Sequence, residues 1–144
     1  MKKVLIVTVL LFISCQNIKK NGNEDNSTAS NAQIESVKNL SHSILSAQKN
    51  GEFYILTNKE ATSEMIAGLN ESVQKESYNQ IEDIFGAYNS LKFYSIEEVV
   101  EGKTYKVYRF KGDFEFGLPV EVRSVINSEG KLAGFFVKPW KNKL

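Results

Sequence analysis

Apolar positions along the chain change their spacing twice, and each change marks a different kind of segment. The first run, Val4 to Ile13, is almost continuous, with Met1-Lys2-Lys3 before it and polar residues directly after it. It is half as long as the ~20 residues a helix needs to cross a bilayer. Between Gln16 and about Ser30 the one large apolar residue is Ile18. So little can be buried there that ordering the segment is not repaid, and it is predicted to be a tether.

Helical spacing begins at Ser30-Asn31-Ala32-Gln33, where serine and glutamine stand three apart as in a capping box. Ile34, Val37, Leu40 or Ser41, Ile44, Leu45 and Gln48 then form one stripe, and Asn50-Gly51 supplies a stop. His42 lies off that stripe, about 100° from Ser41, on a solvated flank. Glu52 to Leu56 reads equally as a strand or a helical turn. Thr57 and Glu60 repeat the capping spacing ahead of Met65, Ile66 and Leu69, which predicts a short helix over 60–69. A third helix carries Val73, Tyr78, Ile81, Ile84 and Phe85 and ends at Gly86.

Beyond Gly86 the period falls to two. Leu91 to Val100 alternates loosely, Glu101-Gly102 breaks it, and one long strand follows from Lys103, bent at Gly112. Tyr108, Phe110, Phe114 and Phe116 share one parity; Arg109, Lys111, Asp113 and Glu115 share the other and are expected on a solvated face. A three-residue loop at Gly117-Leu118-Pro119 would pair Phe116 with Val120, Phe114 with Val122, Asp113 with Arg123 and Phe110 with Ile126. Ser128-Glu129-Gly130 turns the chain into Lys131 to Lys138, and Pro139 ends the ladder. Helices followed by a four-strand antiparallel meander predict an α+β domain over 31–144.

Composition narrows the chemistry. The 144 residues carry a formal charge of +1, so electrostatics does not argue for nucleic acid. One cysteine and one histidine exclude an intramolecular disulfide and any multi-cysteine metal site, and no cofactor or metal is expected. The basic, apolar and small-residue order of residues 1–14 is that of a secretion signal. Phe12-Ile13-Ser14-Cys15 resembles a bacterial lipobox, with Phe12 where leucine is usual. The resemblance implies cleavage between Ser14 and Cys15, lipid on Cys15 and a tether over 15–30. Several acyl chains, at ~0.8 kcal/mol per buried methylene, would hold the protein stably at a membrane. Gln16, standing where aspartate would retain a lipoprotein at the inner membrane, implies the outer membrane facing the periplasm, with surface exposure left open.

Thr62-Ser63-Glu64-Met65, Leu69-Asn70, Phe85 to Ser90 and above all Glu129-Gly130-Lys131-Leu132-Ala133-Gly134-Phe135-Phe136 resemble a bacterial domain of unknown function in the nuclear transport factor two-like, or cystatin-like, superfamily. That resemblance implies a curved sheet wrapped on helices, cone-like with an apolar interior.

For function, the pattern favours a non-catalytic module binding a small ligand or an envelope protein. The aromatic residues Tyr94, Tyr108, Phe110, Phe114, Phe116, Phe135, Phe136 and Trp140 are its raw material, with Phe110, Phe114 and Phe136 expected in the core. Tyr88, Tyr94, Tyr108 and Trp140 are the candidate pocket or rim residues. One alternative is an isomerase- or dehydratase-like enzyme using the cone, with Glu82 or Tyr88 reaching inward. Another is a protein inhibitor docking through a strand edge. Oligomeric state, a homodimer included, stays open.

Overall fold

The computed structural model describes residues 29–142. The expected signal at 1–14, the cleavage point at Ser14 and Cys15 and nearly all of the expected tether lie outside the described residues. Three helices, α1 (Asn31–Lys49), α2 (Ser63–Gly68) and α3 (Glu71–Phe85), precede four strands, β1 (Tyr88–Glu101), β2 (Lys103–Phe114), β3 (Val120–Asn127) and β4 (Leu132–Pro139). The strands form one antiparallel sheet in the order β1-β2-β3-β4. The fold is α+β, with the apolar core between the helices and one face of an open sheet.

The Ser30 capping box forms as the spacing predicts, with Ser30 Oγ accepting from Gln33 N–H and Gln33 Oε1 accepting from Ser30 N–H. Ser41, Ile44, Leu45 and Gln48 are the buried stripe of α1, and the Ser41 hydroxyl shares a buried 2.7 Å hydrogen bond with that of Ser124 on β3. The second predicted cap behaves differently. Glu60 folds back onto the amide and hydroxyl of Thr57 and closes a turn instead of opening a helix. Thr62 is the true cap of α2, through its side chain on Met65 N–H, so the helix is shorter than the expected 60–69.

Glu52 to Leu56 is neither strand nor helix. Its centre is held by a side chain: fully buried Gln74 accepts from Tyr54 N–H at 2.9 Å and donates to Tyr54 and Leu69 carbonyls at 2.8 Å each. An amide has the donor and acceptor pair a neighbouring strand would offer, so it satisfies an irregular backbone in the interior. Further along, Leu132 N–H donates to Glu60 O and Thr62 N–H to Leu132 O, which seats this segment against the start of β4.

β2 runs through Gly112 as one strand, as expected. The reason for glycine is space: a Cβ there would stand 2.6 Å from a ring carbon of Phe114, which folds back over it and meets Tyr88 edge-on at 5.4 Å. Gly86 answers a different need. Its φ of +80° ends α3, and a Cβ would lie 2.7 Å from that of Glu115.

The β2–β3 register departs from expectation by four residues. Phe110 pairs with Val122 and Gly112 with Val120, while Asp113 faces Ser90 on β1 and Arg109 faces Arg123. The strand stops at Phe114 because Glu115 and Phe116 give their N–H groups to Ala87 and Phe85 carbonyls, leaving the chain a longer loop back to Val120. Since four is even, the parity survives: Tyr108, Phe110 and Phe114 are in the core, with Lys111, Asp113 and Glu115 exposed. Phe116, expected inside, is 57% exposed.

Bulges switch faces in the other strands. One between Val125 and Ile126 of the β3–β4 pairing turns Phe135 and Val137 toward the helices and sends Phe136 out, 46% exposed and opposite Arg123, instead of into the expected core. Another, at Phe93/Ser95 in the β1–β2 pairing, puts Phe93 and Ile96 inside and frees Tyr94 to lie on the outer face.

Candidate functional site

Of the four aromatic candidates, the structure splits two from two. Tyr88 and Tyr108 are buried in the core. The Tyr88 hydroxyl shares a 2.8 Å hydrogen bond with Nδ1 of His42, which is otherwise exposed on the flank of α1, and the Tyr88 N–H donates to the Tyr78 hydroxyl at 3.2 Å. Burial raises the Tyr88 phenol well above its ordinary range, so it stays un-ionised. The pair ties α1 to the start of β1. Glu82 is exposed on α3.

Tyr94 and Trp140 instead meet edge-on, 4.7 Å between centroids, on the sheet face away from the helices. Under them lies an arrangement the parity argument missed. Arg109, placed by alternation on a solvated face, is 1% exposed, and Glu121 beside it is fully buried. Arg109 Nε donates to Glu121 Oε1, its Nη1 to Glu97 Oε1 at 2.8 Å and its Nη2 to the Lys141 carbonyl. Arg123 grips the same carboxylate from the other side, through Nε at 2.7 Å and Nη2 at 3.3 Å. The Arg109 guanidinium lies 5.4 Å from the Tyr94 ring centroid and 5.1 Å from that of Trp140, and Lys111 Nζ approaches the same rings at 5.1 and 5.2 Å.

Cross-strand register explains the assembly. One row across the outer face reads Ser95, Arg109, Arg123, Phe136, and the next Lys92, Lys111, Glu121, Lys138. The lid comes from the end of β4, where Trp140 N–H donates to the Pro119 carbonyl and Lys141 closes over Arg109. Alternation could place these residues on one face, but the covering segment depends on contacts far apart in sequence.

The local fields follow. Burial opposes the charge on Glu121, yet the bonds from Arg123 and Arg109 outweigh it and hold the carboxyl below its usual range. Arg109 is likewise disfavoured by burial and held charged by Glu121 and Glu97. Lys138 is lowered by burial and then by Arg123 nearby. Ser95 Oγ, in the Arg109 row, is buried without a hydrogen-bond partner among the described residues.

A separate groove of about 600 Å³ runs between α1, the Thr57 turn and the β3–β4 hairpin, lined by Glu35, Asn39, Tyr54, Glu60, Ile126 and Gly130 among others. None of Tyr88, Tyr94, Tyr108 and Trp140 lines it. Its Glu60 carboxylate is already engaged by the Tyr54 hydroxyl at 2.7 Å and by Thr57. Among the described residues no three His, Cys, Asp or Glu side chains come together to hold a metal ion, and no helix is long and apolar enough to cross a membrane.

Fold, sequence and comparison together define a class: a lipid-anchored protein of the bacterial cell envelope with a small α+β body. The chain belongs to the Treponema clustered lipoprotein family, whose model matches residues 1–133, taking in Cys15, the helices, β1 to β3 and the first two residues of β4. No curated protein and no solved structure matches it.

Proposed function

We propose that this lipoprotein is a non-catalytic binding module, held by lipid on Cys15 at the outer membrane and facing the periplasm, whose binding surface is the outer face of its sheet. The observation that carries the reading is the ion network of Arg109, Glu121, Arg123 and Glu97 on a face that the core does not need. Removing an arginine and a glutamate from water costs several kcal/mol per ion, and apolar side chains of equal volume would often be as stable or more so. A network of this kind is weak evidence for stability and better explained as rigid presentation of charge to a partner.

Two other readings have less support. An isomerase-like site in a cone of the nuclear transport factor two-like type, which the α+β layout is compatible with, needs room on the helix-facing side of the sheet. There Phe110, Phe114, Val122 and Ile44 pack together at 2% exposure or less. Docking through a strand edge would use β1 or β4; the fourteen residues of β1 are broken by two bulges, the device that blunts an edge against pairing, and the start of β4 is already bridged by Ala61.

The test has two arms. In cells given labelled fatty acid, wild type is labelled and Cys15→Ser is not; equal labelling of both removes the anchor from the proposal. In the same cells a photo-crosslinking residue at Tyr94 traps a partner and one at Glu76, exposed on α3, does not; the reverse pattern moves the surface elsewhere. Turnover of a small molecule by the purified chain, abolished by Tyr88→Phe, would replace the binding module with an enzyme.

A further inference from the structure

We infer that the outer face docks an acidic protein partner, whose carboxylates are received by Lys138, Arg123 and Lys111. This rests on the outer-face reading above and gives it a chemistry. The chain has two arginines in all, and they stand directly opposite each other here. Around them lie Lys92, Lys111, Lys138 and Lys141, so the face gathers six cations against the carboxylates of Glu97, Glu121 and Asp113. Yet residues 29–142 as a whole hold thirteen Lys and Arg against fifteen Asp and Glu. The positive charge is a property of the face, not of the domain.

Among the described residues four of those cations, Lys92, Lys111, Lys138 and Lys141, take no part in the internal pairing. Lys138 sits across the ladder from Glu121, its natural counter-ion, but that carboxylate is turned to both arginines. Among the described residues neither Lys138 nor Lys111 has a carboxylate within salt-bridge distance. Arg123 spends Nε and Nη2 on Glu121, and its Nη1 has no partner among the described residues. The result is a half-buried lysine beside one free edge of an oriented guanidinium, an arrangement suited to a carboxylate from outside.

Its surroundings favour a protein over a lipid headgroup or a small anion. Exposed Phe136 adjoins Arg123, and Trp140 and Tyr94 stand beside Lys111, which is the mix of arginine and aromatic residues that dominates protein interfaces. The donors are spread across strands on an open sheet face, with Lys111 and Lys138 two strand spacings or ~10 Å apart, too far to close on one small ion. Placement agrees. At the start of α1, Ala32 and Glu35 line one groove with Gly130 of the β3–β4 turn, whereas Trp140 bonds to Pro119 at the other end of the strands. The basic end of the face is therefore the one remote from the start of α1.

The experiment uses the full mature chain carrying Cys15→Ser, with poly-L-glutamate as the probe and inorganic phosphate and phosphatidylglycerol vesicles beside it. Poly-L-glutamate is expected to bind, and to weaken at least ~10-fold as salt rises from about 0.01 to about 0.15 M, which shortens the screening length from ~30 to ~8 Å. The Lys111→Glu/Lys138→Glu variant should lose at least ~10-fold at low salt, while Lys75→Glu on exposed α3 stays within twofold, circular dichroism showing both folded. Equal loss in both variants, or none in either, overturns the inference. So does tighter binding to the vesicles or to phosphate, or self-association abolished by Lys138→Glu, which would make the occupant a lipid, a small anion or a second copy. Should Tyr94 crosslink a partner while poly-L-glutamate fails to bind, the carboxylate chemistry falls and the outer-face reading stands.

Discussion

Glu121→Gln keeps the shape of the buried network and removes its central charge. Arg109 then retains Glu97 and the Lys141 carbonyl, but the two guanidinium groups, directly opposed across β2 and β3, lose the carboxylate they share. At 0% exposure for Glu121 and 1% for Arg109, water cannot make up the difference. Stranding a buried charge costs ~3–5 kcal/mol, against ~0–1 kcal/mol for an exposed pair. Taking ~3 kcal/mol and a urea dependence of ~1.5 kcal/mol per molar, the unfolding midpoint should fall by ~2 M. The pH dependence has a fixed sign. A carboxyl depressed in the folded state adds stability above its unfolded pKa of ~4.3, and that stability is lost as pH falls through the folded value. Wild type should therefore weaken more steeply below pH ~4.3 than Glu121→Gln, which retains only the contributions of the other lowered carboxyls, Glu60, lowered by its hydrogen bonds against the opposing effect of burial, and Glu64. A companion with Arg109→Met, Glu121→Met and Arg123→Leu together should recover most of the loss, because no unpaired charge remains buried. A midpoint shift below ~0.5 M for Glu121→Gln, or parallel acid profiles for wild type and variant, would refute the claim that Glu121 is a desolvated counter-ion to two arginines.

Three further outcomes test the rest of the architecture. Phe114→Ala should cost ~3–5 kcal/mol in urea denaturation and Phe116→Ala no more than ~1 kcal/mol, because Phe114 is 2% exposed and Phe116 is out on the loop; equal costs would mean that the strand does not end where the register says. Gln74→Leu leaves Tyr54 N–H and carbonyl unpaired in the interior, for a loss of ~2–3 kcal/mol and faster hydrogen exchange at the Tyr54 amide, whereas unchanged exchange would show that Gln74 does not hold that segment. Gly86→Ala should cost more than ~1 kcal/mol by thermal unfolding, through its positive φ and the collision with Glu115, and a neutral result would place the α3–β1 junction in another conformation.

Local chemistry was legible wherever a few neighbouring residues decide the outcome. Ser30 and Gln33 announce α1, the i, i+3, i+4 stripe names its buried face, and the period-two run through Gly112 identifies β2 and its helix-facing aromatics. The same kind of information failed at Thr57-Glu60, where a capping pair closes a turn, since a four-residue signal cannot tell which of two local hydrogen-bonded forms the chain beyond it will continue. It failed again at Phe116 and Phe136. Strand pairing is set by the two chains together, so the backbone bonds of Glu115 and Phe116 to the α3–β1 junction, and the bulge opposite Val125, moved residues that alternation alone had put inside.

The candidate site divides along the same line. Tyr94 and Trp140 were visible as aromatics without a clear place in the core, and the parity of Arg109 was readable, but its burial with Glu121 was not. Alternation states which way a side chain points and nothing about what lies above it. Trp140 and Lys141, folded back from the end of β4 onto a residue some thirty positions earlier, exclude water from Arg109 and turn a solvated face into a rigid cationic one. The sequence determined the Ser30 cap, the buried stripe of α1, the parity of β2 and the α+β order, because those follow from neighbours in the chain. The tertiary structure alone decided register, the exposed aromatics and the buried ion network, because solvent exclusion is a property of segments brought together by the fold.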